Sequence, residues 1–154
     1  MTVRDHFRAQ AAACARLGSP FTAALLEFVA ERLDERRPVG RALLGWPGDP
    51  KADAVALRLA GSLHALVLAG TAPSLAAVYP GGAHADDPTA LGCAVNGALE
   101  AHADFILRFV ERPPQTNEVG RSAMLLGGFL TVAAETGLPL RLREIGASAG
   151  LNLL

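Results

Sequence analysis

The chain has 154 residues, of which 51% are hydrophobic, 19% charged and 5% aromatic, and its net charge is -1. Such a length and apolar content suit a buried helical core and exclude a disordered chain. The near-zero charge excludes a general nucleic-acid binder, because affinity for phosphate needs a surplus of Lys and Arg.

The N-terminus mixes charges and leads into no apolar run, so it does not read as a signal peptide. Residues 2–17 place Val3, Phe7, Ala11 and Cys14 on one helical stripe, and Gly18 ends that helix. Ser19 and Pro20 supply an N-cap and a first-turn proline for a second helix, in which Phe21, Leu25, Phe28 and Leu33 repeat at helical spacing. The charged run 34–37 reads as a solvated end. Pro38 opens a short helix to Leu44, and residues 45–50 form a turn-rich connection that holds the single tryptophan, Trp46.

Asp49 and Pro50 are expected to start a long central helix running to Ala69. Its polar exceptions set requirements: a buried Arg58 needs a carboxylate partner, and a buried His64 needs a hydrogen bond. The polar residues of this segment, Asp53, Arg58, Ser62 and His64, argue against a membrane span. Gly70 ends the helix, residues 73–78 can form a short one, and residues 79–86 read as loop. His84 and Asp86 lie in that loop, but two exposed ligands do not make a metal site, so no metal is expected. Cys14 and Cys93 show no ligand spacing and read as small buried residues in a reducing cytoplasm.

Asp87 and Pro88 cap a further helix that carries Leu91, Val95, Ala98, His102, Phe105 and Phe109 along one seam, and Pro113 and Pro114 break it. Residues 115–122 are unusually polar for this chain. Thr116 or Asn117 can cap a last helix running to about Thr136, with Glu118, Arg121 and Ser122 sharing one face. Gly137 and Pro139 then turn the chain into a strand over residues 140–145.

The strand runs into Glu144, Gly146, Ala147, Ser148 and Gly150, a tight glycine turn followed by a helix start. Such a turn lets the backbone approach a ligand and presents unpaired N–H groups to it. At about 1.5 Å per helical residue and 3.3 Å per strand residue, the strand matches about thirteen helical residues counted back from Thr136. That places the pocket candidates Thr116, Asn117, Glu118, Arg121 and Ser122 near the carboxyl end of the strand, where open α/β sheets bind ligands.

In its E-x-G-x-x-x-G form, this stretch resembles the first motif of class I S-adenosylmethionine-dependent methyltransferases, and the resemblance implies that Glu144, Gly146, Ala147, Ser148 and Gly150 contact the cofactor. Read instead as G-x-S-x-G, it resembles the nucleophile elbow of hormone-sensitive-lipase-type esterases, with Ser148 as nucleophile. In that fold, however, the acid and histidine follow later in the chain and a sheet precedes the elbow. A third reading is a non-catalytic helical interaction module.

The stretches Gly18-Ser19-Pro20, Trp46-Pro47-Gly48-Asp49-Pro50, Leu57-Arg58-Leu59-Ala60-Gly61-Ser62-Leu63-His64, Val78-Tyr79-Pro80, the polar run 113–122 and the terminal run 144–152 together resemble the bacterial family catalogued as domain of unknown function 2332. The resemblance implies a longer protein, of which this chain is the N-terminal part.

The expected architecture is therefore mainly α: a bundle of about six or seven helices with a single C-terminal strand that would begin a Rossmann-like sheet. A helical domain is expected over 1–112, and the helix, strand and glycine turn over 113–154. S-adenosylmethionine is the cofactor implied for the longer protein, with none expected bound to this chain, which should be inactive alone. No nucleic-acid or membrane partner is expected. An exposed terminal strand or the helical faces would favour a homo-oligomer.

Overall fold

The structure, a computed structural model, describes residues 1–114 and 120–145, with only the backbone of Arg121. The chain divides into two compact units, Met1–Pro114 and Gln115–Leu154.

The first unit holds seven helices. Helix α1, Val3–Arg16, starts at a reciprocal capping box: the Thr2 hydroxyl accepts from the Asp5 N–H at 3.1 Å, and the Asp5 carboxylate accepts from the Thr2 N–H at 3.2 Å. These bonds satisfy two of the donors a helix start leaves unpaired. Val3, Phe7, Ala11 and Cys14 are buried on one stripe, joined by His6. Gly18 takes φ +78°, and the Ser19 N–H reaches back to the Cys14 carbonyl at 2.9 Å, so the chain reverses at once into α2, Pro20–Arg32. Pro20 occupies the first turn as expected. Ser19 sits at the cap position, but its hydroxyl bonds to Thr22 Oγ1 at 2.8 Å rather than to a backbone N–H.

Helices α1 and α2 form the most extensive pair, and Arg4 fastens them by donating to the Ala30 carbonyl and, at 2.6 Å, to the Leu33 carbonyl. A cation there also faces the negative end of the α2 dipole. Helix α3, Pro38–Leu44, follows. Gly40 cannot be larger, because a Cβ would overlap the Asp34 backbone.

The long helix expected from Asp49 is shorter. Residues 50–54 form a turn held by Asp49, whose side chain accepts from Lys51 and Ala52 N–H, and Ala54 then adopts a left-handed φ of 52°. Only then does α4, Val55–Leu68, begin. It buries Val55, Ala56, Leu59, Leu63 and Leu66 and packs against α1, α2, α5 and α7, which makes it central. Helix α5, Pro73–Ala76, is a single turn.

Helix α6, Pro88–Ala101, is capped by Asp87, which accepts from Thr89 and Ala90 N–H. The expected single helix breaks at His102 (φ -118°, ψ 26°), and α7, Ala103–Val110, continues on a new axis. The break shifts the seam: Ile106 and Val110 are buried, while Phe109 is 36% exposed. It also raises the helix count among the described residues to eight, against the six or seven expected.

In the second unit α8, Arg121–Thr136, ends at Gly137, which adopts φ +65°. The expected strand over residues 140–145 is not present: among the described residues there is no strand, and this segment is neither helical nor paired. A strand exists through a hydrogen-bonded ladder, and no second extended segment is described to supply one. The expected caps Thr116 and Asn117 lie outside the described residues. No helix among the described residues is long and apolar enough to cross a membrane.

Candidate functional site

Of the residues singled out in the sequence, Thr116, Asn117, Glu118, Gly146, Ala147, Ser148 and Gly150 lie outside the described residues. Arg121 is the first residue of α8. Ser122 and Glu144 are half-buried and both engage in polar or electrostatic contacts. Glu144 lies in the non-helical segment that follows Gly137.

The first unit carries two arrangements of interest. One is built on Arg58, which is 9% exposed. Its Nε donates to the Asp53 carbonyl at 2.6 Å, and its Nη1 donates to the carbonyls of Val110 and Glu111 at 3.0 and 3.1 Å. The guanidinium lies 5.3 Å from the centroid of Trp46, whose indole N–H donates to Asp53 Oδ2 at 2.8 Å. The expected carboxylate partner is only at the limit of pairing, with Asp53 Oδ1 4.0 Å from Nη2. What compensates the buried cation is the carbonyl end of α7, where the helix dipole is negative. This cluster joins α4, the end of α7 and the 46–54 connection, and its chemistry is structural.

The other is an open cleft of about 370 Å³ between the start of α2, one face of α4 and the chain after α5. Ser19, Phe21, Thr22 and Leu25 line it from α2, Ala60 and His64 from α4, and Tyr79 and Pro80 from beyond α5. The sharp turn at Gly18 sets Ser19 and Phe21 at the rim, and Ala60 and His64 share a face because they stand four residues apart. Tyr79 meets the ring of Phe21 at 4.5 Å between centroids, tilted by 53°, and stacks on His64 at 5.6 Å and 24°. Burial pushes the Tyr79 phenol up to about 12. His64 was expected to be buried and hydrogen-bonded. It is instead exposed, and its partner is a ring face, since α4 turns this residue outward beside Tyr79.

Sequence reading missed this cleft because it took Ser19 as a cap, His64 as a buried exception and Tyr79 as loop. A signal was present: three of the stretches that carry the family resemblance, at 18–20, 57–64 and 78–80, supply five of its eight lining residues, Ser19, Ala60, His64, Tyr79 and Pro80.

Two of the larger grooves carry less chemistry. In one, Arg36 is paired with Asp34 and Arg37 with Glu100, so its charges are largely neutralised internally. The other includes His84, His102 and Cys93, which is exposed rather than buried as expected because it lies off the buried stripe of α6, yet among the described residues no three His, Cys, Asp or Glu side chains are grouped so as to hold a metal.

No curated protein and no solved structure matches the chain significantly. A family match does extend over residues 4–154, to the family described as "Uncharacterized protein conserved in bacteria (DUF2332)". Because that match takes in nearly the whole chain, the protein belongs to this bacterial family.

Proposed function

We propose that this chain is part of an S-adenosylmethionine-dependent methyltransferase-like protein, with the stretch from Glu144 to Gly150 as the turn beneath the methionine half of the cofactor. The observation that carries the reading is the pattern Glu144-x-Gly146-x-x-x-Gly150 immediately after a segment that leaves the helical conformation at Gly137. Glycines at 146 and 150 would let the backbone approach the ligand where a Cβ would block it. Glu144 is half-buried and makes polar or electrostatic contacts, and on this reading it would be the carboxylate that flanks the turn. When bound, the cofactor supplies an electrophilic methyl group. Arg121, with Glu118 three residues before it in the sequence, would hold the carboxylate of its methionine half or shape the pocket for the acceptor.

The test is equilibrium dialysis of labelled S-adenosylmethionine against a longer member of the family, native and with the position of Gly146 changed to Val. Saturable binding that the substitution abolishes supports the reading. Equal binding by both proteins, or by neither, overturns it.

A further inference from the structure

We propose that the cleft between α2, α4 and the chain after α5 is a binding site for a small, neutral, aromatic-ring molecule carrying one hydrogen-bonding group. This inference is independent of the glycine turn, because every residue it uses lies in the first unit.

Size comes first. At about 370 Å³ the cleft is at the small end of the range for ligand sites, which admits a one- or two-ring molecule. Charge comes next. No Asp, Glu, Lys or Arg lines the cleft, so an ionised ligand would find no counter-charge to offset its desolvation. The shape of the walls then favours a ring: Phe21, Tyr79 and His64 present three aromatic surfaces, tilted or stacked on one another within 6 Å. Rings meet such surfaces edge-on or offset, and each contact favours an aromatic guest over an aliphatic one by roughly three- to tenfold.

The polar group is specified by two hydroxyls. Ser19 donates to Thr22 Oγ1 at 2.8 Å, and neither side chain has another hydrogen-bond partner among the described residues. Two hydroxyls sharing one bond leave one donor and several lone pairs unspent. That is why Ser19 does not cap its helix: its hydroxyl is turned to Thr22 at the cleft rim rather than to the α2 backbone. A ring hydroxyl or ring N–H on the guest would complete the pair.

The experiment uses the whole chain and phenol as the probe, with cyclohexanol as the non-aromatic control. Tyr79 is the single tyrosine, so its ring resonances report the cleft without ambiguity. Phenol is expected to shift them saturably, with a midpoint on the order of 1 mM or tighter, and cyclohexanol to bind several-fold more weakly. Ala60→Phe, which fills the cleft, should abolish the shift. Thr22→Val, which keeps the volume and removes a hydroxyl, should weaken phenol roughly tenfold and leave benzene unchanged. It serves as the deciding variant if Ala60→Phe fails to fold. No saturable shift, equal affinity for cyclohexanol, or a Thr22→Val protein that binds phenol like the native chain would each overturn the proposal.

Discussion

Replacing Arg58 with Met keeps the apolar stem and removes the fork that donates to the carbonyls of Asp53, Val110 and Glu111. Hydrogen bonds from a charged donor contribute about 1.5 to 3 kcal/mol each, but the released carbonyls at the end of α7 can recover part of this from water. Loss of the cation over Trp46 adds about 0.5 to 1 kcal/mol. The net cost is therefore about 3 to 5 kcal/mol, a large share of the stability of a domain this size. Urea unfolding followed by the fluorescence of Trp46, the single tryptophan, measures it directly. Asp53→Asn is the companion variant. Its amide oxygen can still accept from the Trp46 indole, and the carboxylate stands 4.0 Å from the guanidinium, so the expected loss is below about 1 kcal/mol. If Arg58→Met unfolds at the native midpoint, or if Asp53→Asn costs as much as Arg58→Met, the carbonyl account of this buried cation is wrong.

Three other outcomes follow from the geometry. His6 is buried and accepts the Ala56 N–H at Nε2 (3.2 Å), and burial lowers its pKa below the usual 6.5. The unfolded chain then binds the proton first, so stability is fully present above pH 6.5 and falls as pH drops below it; urea midpoints from pH 7.5 to 5 should decline less in His6→Gln than in the native chain. For Tyr79 the displacement is upward, so the neutral phenol is favoured in the fold and stability is lost as pH rises past 10; absorbance at alkaline pH should show ionisation near 12, and a midpoint at 10 would mean the ring is not buried. Gly92→Ala would bring a Cβ to 2.8 Å from the flexible ring of Phe28, whereas Gly40→Ala meets the Asp34 backbone; thermal unfolding should show about 1 to 3 kcal/mol lost for the first and more for the second.

Much of the helical framework was legible because its signals are local. Gly18 with Pro20, and Asp87 with Pro88, mark helix ends through groups within a few residues of one another, and the structure puts helix boundaries at each. The two breaks it did not reveal have no such signal. Ala54 adopts a left-handed conformation although alanine is the strongest helix former, and His102 interrupts a run of good helix residues. In both places tertiary packing overrides propensity: the Asp53 carbonyl and side chain beside Ala54 serve Arg58 and Trp46, and the break at His102 lets Ile106 and Val110 face the core. The cleft was hidden for a related reason. Ser19, His64 and Tyr79 are brought together by α2 and α5 packing on or beside α4, which periodicity along any one helix cannot express.

Whether residues 144–150 contribute to holding S-adenosylmethionine is measured most directly by calorimetric titration of the cofactor into this chain and into a longer family member. A glycine turn supplies only some of a cofactor's contacts, and two or three missing hydrogen bonds, at about 1 to 3 kcal/mol each, move a micromolar site toward millimolar. Micromolar binding by the longer protein and millimolar or no binding by this chain is the expected result. Absence of binding in both would contradict the methyltransferase reading, and equal micromolar binding in both would contradict the view that this turn supplies only part of the site.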